Sequence, residues 1–200
     1  MNTVIAVVLG YLLGSISFSF LFGRLFQGID IRKHGSGNAG ATNTLRVMGV
    51  GPAVTVLALD IAKGVLAVWC GWWLAPESTL APILAGLAAI IGHNWPVFFA
   101  FRGGKGIATM IGVVATLCFL PGLAAGLVGI ASIVATRYVS LGSLLFAGLL
   151  PFSLLLFGRE LELVWFSVAL AALAFYKHRG NLVKLAQGKE NKISFRRSNG

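Results

Sequence analysis

The chain has 200 residues, of which 57% are hydrophobic and 11% charged, with a mean hydropathy of +0.87. A soluble domain carries about 25% charged residues. Composition therefore excludes a soluble globular protein, a disordered tail and a secreted disulfide scaffold, and leaves an all-α integral membrane protein. The net charge of +10 on so apolar a chain points to a charged membrane face and to no nucleic-acid partner.

Seven apolar stretches follow in chain order, at about 3–23, 52–75, 79–99, 107–120, 122–136, 141–157 and 161–176. The N-terminus lacks a basic region before its apolar run, so no cleavable signal peptide is expected. The first three stretches have the roughly 20 residues of a spanning helix, and the later ones would thin the bilayer or borrow from their flanks. Helix is required because backbone groups in lipid must pair within the segment.

The region 107–136 divides at Pro121-Gly122 on grounds of parity. With seven spans, Arg24, Arg32, Lys33, Arg46, Arg102, Lys105, Arg137, Lys177, Arg179, Lys184, Lys189, Lys192, Arg196 and Arg197 share one side. The positive-inside tendency then sets seven transmembrane helices, N-terminus outside and C-terminus cytoplasmic. Trp69, Trp72, Trp73, Trp95 and Trp165 fall near span ends, as interfacial anchors do. Gly10 with Gly14, and Gly122 with Gly126, have small-xxx-small spacing. With 26 glycines such pairs arise by chance and receive little weight. Cys70 and Cys118 lie in apolar runs and read as small buried side chains.

Three polar clusters share the predicted cytoplasmic face, at about 30–46, 92–106 and 177–192, within a single transmembrane domain over 1–200. The first reads DIRKHGSGNAGATNTLR. Gly35, Gly37 and Gly40 allow positive φ and close approach to a ligand, so successive amides are expected to form an anion nest. Ser36, Asn38, Thr42 and Asn43 add neutral donors, and His34 and Arg46 cationic ones. No carboxylate lies between Asp30 and Asp60. Such a cluster suits phosphate or a developing oxyanion.

The second cluster, GHNWPVFFAFRGGKG, ends in Gly103-Gly104-Lys105-Gly106. Amides and one lysine at the start of a helix resemble a phosphate-gripping turn. Arg102 is expected to meet lipid headgroups. His93 and Asn94 are polar groups at a span end that need partners. The third cluster, YKHRGNLVKLAQGKENK, contains His178, Asn181 and Glu190, which lipid adhesion by a polybasic tail explains poorly. Asp60 and Lys63, three apart in the second span, share a helix face and are expected to support the site structurally, together with His93 and Glu190. Ser15 and Ser19 are expected to back-bond to the preceding helical turn. No metal-ligand spacing, Gly-x-Ser-x-Gly elbow or His-x4-Asp arrangement is present. Neither metal nor cofactor is expected.

At these clusters the chain resembles the bacterial acyl-phosphate:glycerol-3-phosphate acyltransferase family, called PlsY. The resemblance is carried by YLLGSI (Tyr11–Ile16), the first cluster, Asp60-Ile61-Ala62-Lys63-Gly64, the second cluster, and the KHRGN…GKENK tail. Ser17 stands where the family often has proline. The resemblance implies transfer of a fatty acyl group from acyl phosphate to the sn-1 hydroxyl of glycerol 3-phosphate. Lysophosphatidic acid and phosphate would result, in phospholipid biosynthesis. It further implies important roles for Ser36 and Arg46, a glycerol 3-phosphate site around Lys105, roles for His178 and Asn181, and a structural role for Glu190.

The residue chemistry fits that implication. Acyl phosphate is a mixed anhydride with a good leaving group, so positioning and positive potential suffice without a strong base. Expected partners are acyl phosphate, glycerol 3-phosphate and the lipid bilayer, with the protein a monomer. The three clusters are expected to meet in one electropositive pocket, where Lys105, Arg46 and His178 hold phosphates. The hydroxyl proton passes to His178 or, preferably, to a substrate phosphate oxygen. The rival readings are a membrane transporter of an organic phosphate, which needs polar groups at the midplane, and a non-enzymatic lipid-binding scaffold.

Overall fold

The computed structural model of the chain describes residues 1–193. Its described residues form α-helices joined by turns and two 3-10 turns, with no strand among them. They divide into two compact units, Met1–Val113 and Val114–Ile193.

The first unit opens with α1 (Asn2–Gly14) and α2 (Phe18–Gln27), followed by α3 (Ala41–Met48), α4 (Val50–Leu74) and α5 (Leu80–Asn94). The helix α6 (Ile107–Leu117) begins in it. α1 packs on α4 and α5, α4 on α5, and the short α3 on α4. Gly10 and Gly14 make the α1–α5 contact possible. A Cβ on Gly10 would run into the Ala85 carbonyl, and one on Gly14 into that of Ala89. Small residues four apart on both helices let the backbones meet directly. The Gly10–Gly14 spacing is therefore a real packing motif. Gly126, by contrast, faces open space.

The second unit contains α7 (Phe119–Thr136), α8 (Val139–Leu156), α9 (Leu161–Lys177) and α10 (Arg179–Ala186). α8 packs against α7 and α9.

Among the described residues five helical segments are long and apolar enough to cross a membrane, and six if α9 and α10, bent by 64° at His178, count as one. α1 and α2 form one of these segments, Asn2–Gln27. The 11-residue α6 falls short of that length. Two boundaries differ from those expected. The first stretch is broken at Ser15–Ser17, where Ser17 is the extended N-cap of α2 (φ −95°, ψ 91°). The break between α6 and α7 falls at Cys118, not at Pro121-Gly122. Pro121 lies in the first turn of α7, where its missing N–H would have had no helical acceptor. Pro52 and Pro82 occupy the same position in α4 and α5. At these three positions proline starts a helix, whereas Pro151 lies inside α8.

Candidate active site

The first polar loop is shaped by its own side chains. Asp30 caps a 3-10 turn, Ile31–Lys33, by accepting from the Arg32 amide at 3.0 Å. Gly35 and Gly37 take φ of +59° and +73°. Gly40 does not need that freedom: its φ of −163° is ordinary extended backbone at the N-cap of α3. Asn43, buried on α3, organises the loop. Its Nδ2 donates to the carbonyls of Ile31 (3.2 Å) and His34 (3.1 Å), and its Oδ1 accepts from the Ser36 amide at 2.8 Å.

The expected amide nest changes accordingly. The amides of Ser36, Gly37 and Gly40 are engaged by Asn43 Oδ1 and the carbonyls of His34 and Asn38. His34, Ser36 and Arg46 are exposed, and Asn38 and Thr42 half-buried.

The second loop, between α5 and α6, is packed tightly at its glycines. The Gly104 amide donates to the His93 carbonyl at 3.1 Å. A Cβ on Gly103 would strike that carbonyl, and one on Gly104 would strike both the His93 ring and the Ala39 carbonyl. Glycine is required here by close approach. Gly106 follows at φ +81°, and the half-buried Lys105 sits between them. Since Ala39 belongs to the first loop, the two polar loops of this unit lie backbone against backbone.

Arg32, which sequence reasoning counted only among the basic residues, bridges the same two loops. Its Nε and Nη2 each donate to the Asp30 carboxylate at 2.9 Å, and Nη1 donates to the Phe99 carbonyl at 2.8 Å. These bonds hold the Asp30 carboxyl down at about 2, against the desolvation that pushes it up. The only carboxylate at either loop is thereby neutralised in place.

Behind the loops lies a buried polar set. Lys63 Nζ lies 2.7 Å from Asp60 Oδ1 and donates to the Ile16 carbonyl at 2.8 Å, at the break between α1 and α2. His93 Nδ1 is 3.6 Å from Asp60 Oδ1 and 3.2 Å from Thr109 Oγ1. Asp60, Lys63 and His93 thereby link the α1–α2 break, α4, α5 and α6 beneath the Gly104 turn. Thr109 was not foreseen, since a lone threonine in an apolar run carries no signal of its own. Ser15 back-bonds to Tyr11 as expected, at 2.8 Å. Ser19 does not, and pairs instead with Thr44 Oγ1 at 3.0 Å.

In the second unit, His178 is buried at the junction of α9 and α10, and its Nδ1 meets the Ala174 carbonyl at 2.8 Å. A carbonyl partner fixes the proton on Nδ1, which leaves Nε2 as the acceptor of the neutral ring. Asn181 Nδ2 donates to Glu190 Oε1 at 2.7 Å, and Ser140 Oγ donates to the same oxygen at 2.9 Å. Ser140 is a further polar residue of this cluster that sequence reasoning missed. Its signal is modest: two serines, Ser140 and Ser143, in the first turns of a helix whose one other polar residue is Ser153. Arg196 and Arg197 lie outside the described residues. Among the described residues no group of three or more His, Cys, Asp or Glu side chains is placed to hold a metal ion.

Comparison with known proteins places this geometry in context. The sequence model of the family described as glycerol-3-phosphate acyltransferase matches residues 4–188. The chain is 56% identical over 197 residues to the glycerol-3-phosphate acyltransferase of Shouchella clausii, covering 96% of each chain. It is 52% identical over 192 residues to that of Halalkalibacterium halodurans, covering 94% of this chain and 93% of the relative. Two crystal structures of PlsY, an integral membrane glycerol 3-phosphate acyltransferase, are similar to it at 34% identity. The glycerol 3-phosphate form gives a TM-score of 0.91 over 97% of this chain and 96% of that one. The lysophosphatidic acid form gives 0.89 over 98% and 97%.

Proposed function

The chain belongs to the glycerol-3-phosphate acyltransferase family, and from that premise we propose that it transfers a fatty acyl group from acyl phosphate to the sn-1 hydroxyl of glycerol 3-phosphate. It is an enzyme, an integral membrane acyltransferase of phospholipid biosynthesis. The products are lysophosphatidic acid and inorganic phosphate. One observation carries the reading. Two loops rich in donors and cations lie against each other, and their single carboxylate, Asp30, is paired with Arg32. A surface of that kind suits two phosphorylated reactants and repels neither.

In this mechanism the hydroxyl oxygen of glycerol 3-phosphate attacks the acyl carbonyl carbon. The bond from that carbon to the phosphate oxygen then breaks, and phosphate leaves. The hydroxyl proton passes to a substrate phosphate oxygen. The orientation of His178 supports this choice over a histidine base: Nδ1 rests on a backbone carbonyl, which raises the basicity of Nε2 less than a carboxylate would. In the first unit Ser36, Asn38, Thr42, Arg46 and Lys105 serve as substrate-binding groups, with the Gly35–Gly40 and Gly103–Gly106 turns shaping the backbone around them. In the second unit His178 and Asn181 serve the same reaction, and Glu190 holds Asn181.

The topology proposed is seven crossings, counting α6 as a short one, with the N-terminus outside and the three polar clusters and C-terminus in the cytoplasm. The concentration of Lys and Arg in 24–46, 102–105 and 177–192 supports it. The protein acts as a monomer in the inner membrane, and the whole chain serves as one transmembrane acyltransferase domain. A transporter would line its path with available polar groups. The deep polar groups Asp60, Lys63, His93 and Thr109 instead engage one another.

Purified protein incubated with acyl phosphate and glycerol 3-phosphate is expected to yield lysophosphatidic acid and phosphate in equal amounts. Acyl-CoA and acyl-carrier protein are expected to yield none. Absence of product with acyl phosphate, or equal product with acyl-CoA, would overturn the assignment.

A further inference from the structure

We propose that Arg32 is a positioning residue for the acyl transfer: it locks the loop that carries Ser36 and Arg46 to the turn that carries Lys105. The inference rests on the functional reading above, since it concerns how the groups on those two loops are kept in register.

The guanidinium is held on every side. One edge makes the two-point pair with Asp30. Nη1 points to the opposite loop, 2.8 Å from the Phe99 carbonyl and 3.4 Å from that of Arg102. Its flat face covers the Phe20 ring at 4.7 Å, and Phe20 in turn meets Phe99 with ring centroids 4.8 Å apart. Only a planar fork serves a carboxylate, a carbonyl and an aromatic face together; an ammonium does not.

The two carbonyls it reaches bracket a strained pair. Ala100 and Phe101 both adopt left-handed φ, +56° and +58°. Neither is glycine, and such a conformation persists only where its surroundings enforce it. Arg32 grips the residue before the pair and the residue after it, while the Phe101 amide is held by the Pro96 carbonyl at 2.9 Å. Without Arg32 the pair keeps only the backbone bonds from the Phe101 amide to Pro96 and from the Arg102 amide to Phe99, and relaxes more easily toward ordinary φ. Arg102, Gly103, Gly104 and Lys105 follow directly in the chain, so that relaxation is transmitted to Lys105. The Ala39–Gly104 contact is too close to absorb a shift without moving the Ser36 loop as well.

The test is steady-state kinetics of purified wild type, Arg32→Gln, Arg32→Lys and Asp30→Asn with acyl phosphate and glycerol 3-phosphate. Arg24→Gln serves as control, since Arg24 also faces Phe20, at 5.6 Å, and its side-chain hydrogen bond goes to the Gly28 carbonyl, outside both loops. Arg32→Gln is expected to lower kcat/KM for glycerol 3-phosphate by about 10- to 100-fold, mostly through KM, as displacement of a binding group by an ångström does. Arg32→Lys is expected to recover part of the loss, and Arg24→Gln to stay near wild type. A double-mutant cycle separates register from general damage. In a Lys105→Met background, Arg32→Gln should cost clearly less than it does in wild type, because one of the groups it positions is already gone. Full multiplication of the two losses, or Arg32→Gln within about twofold of wild type, overturns the inference. If Arg32→Gln does not yield folded protein, Asp30→Asn carries the same cycle under the same criteria. Wild type that forms no lysophosphatidic acid would overturn the functional reading itself. Active wild type with unaffected variants overturns this inference alone.

Discussion

Asn181 donates its side-chain amide to Glu190 Oε1 at 2.7 Å, across the turn that follows α10. Ser140, at the start of α8, donates to the same oxygen. Glu190 is therefore the post that fixes the rotamer of Asn181. The segment carrying it is tied down further by Arg137, whose carbonyl accepts from the Ile193 amide at 2.8 Å.

A glutamine at Glu190 keeps the accepting oxygen, whereas alanine removes it. Glu190→Gln is expected to retain most of the activity. Glu190→Ala should lose roughly 1.5–3 kcal/mol of orientation, a charge-assisted hydrogen bond's worth, which is about 10- to 100-fold in kcat/KM. Kinetics of the two variants side by side check this. Equal losses would show that the charge and not the acceptor matters.

If a substrate oxygen takes the proton, His178 orients and binds but does not act as base. Residual turnover of His178→Gln should then keep the wild-type shape of its pH–rate profile. Loss of an acidic limb near the ordinary histidine value of about 6.5 in the variant would reassign His178 as the base.

The α1–α5 contact predicts a contrast between two glycines of small-xxx-small pairs. Gly14→Ala forces a methyl against the Ala89 carbonyl and should cost about 1–3 kcal/mol, as overpacking does. Gly126→Ala meets open space and should be neutral or slightly stabilising through helix propensity. Thermal unfolding in detergent measures both.

The Asp30–Arg32 pair makes stability depend on acid. The Asp30 carboxyl is held at about 2, below the roughly 3.9 of an unfolded aspartate. Its contribution, of the order of 2 kcal/mol, is present above about pH 4 and lost as pH falls toward 2. The unfolding temperature of wild type should fall more steeply across that window than that of Asp30→Asn. Parallel curves would remove the pair from the stability of the fold.

The residues of the polar clusters were legible in the sequence because chemistry in lipid is sparse. Against 57% apolar residues, a run such as GSGNAGATN stands out whatever the fold. What such a run does was harder to read. Asn43 and Ser36 look equally like ligands in one dimension, yet Asn43 spends its side chain holding its own loop. Gly103 and Gly104 look like an anion nest and are glycines chiefly because His93 and Ala39 press against them.

The class of environment, the helical state and the identity of the polar groups can be read from residue order alone, because hydropathy and backbone satisfaction in lipid are local properties. Where helices break and which polar groups touch emerge from packing, and the folded chain settles them. It set Gly10 and Gly14 against α5 while leaving Gly126 in open space, engaged Asp60 with Lys63 and His93, and turned Arg32 from one basic residue among sixteen into the link between two loops. Those outcomes depend on which surfaces meet across tens of residues of chain, and no spacing along the chain encodes that meeting.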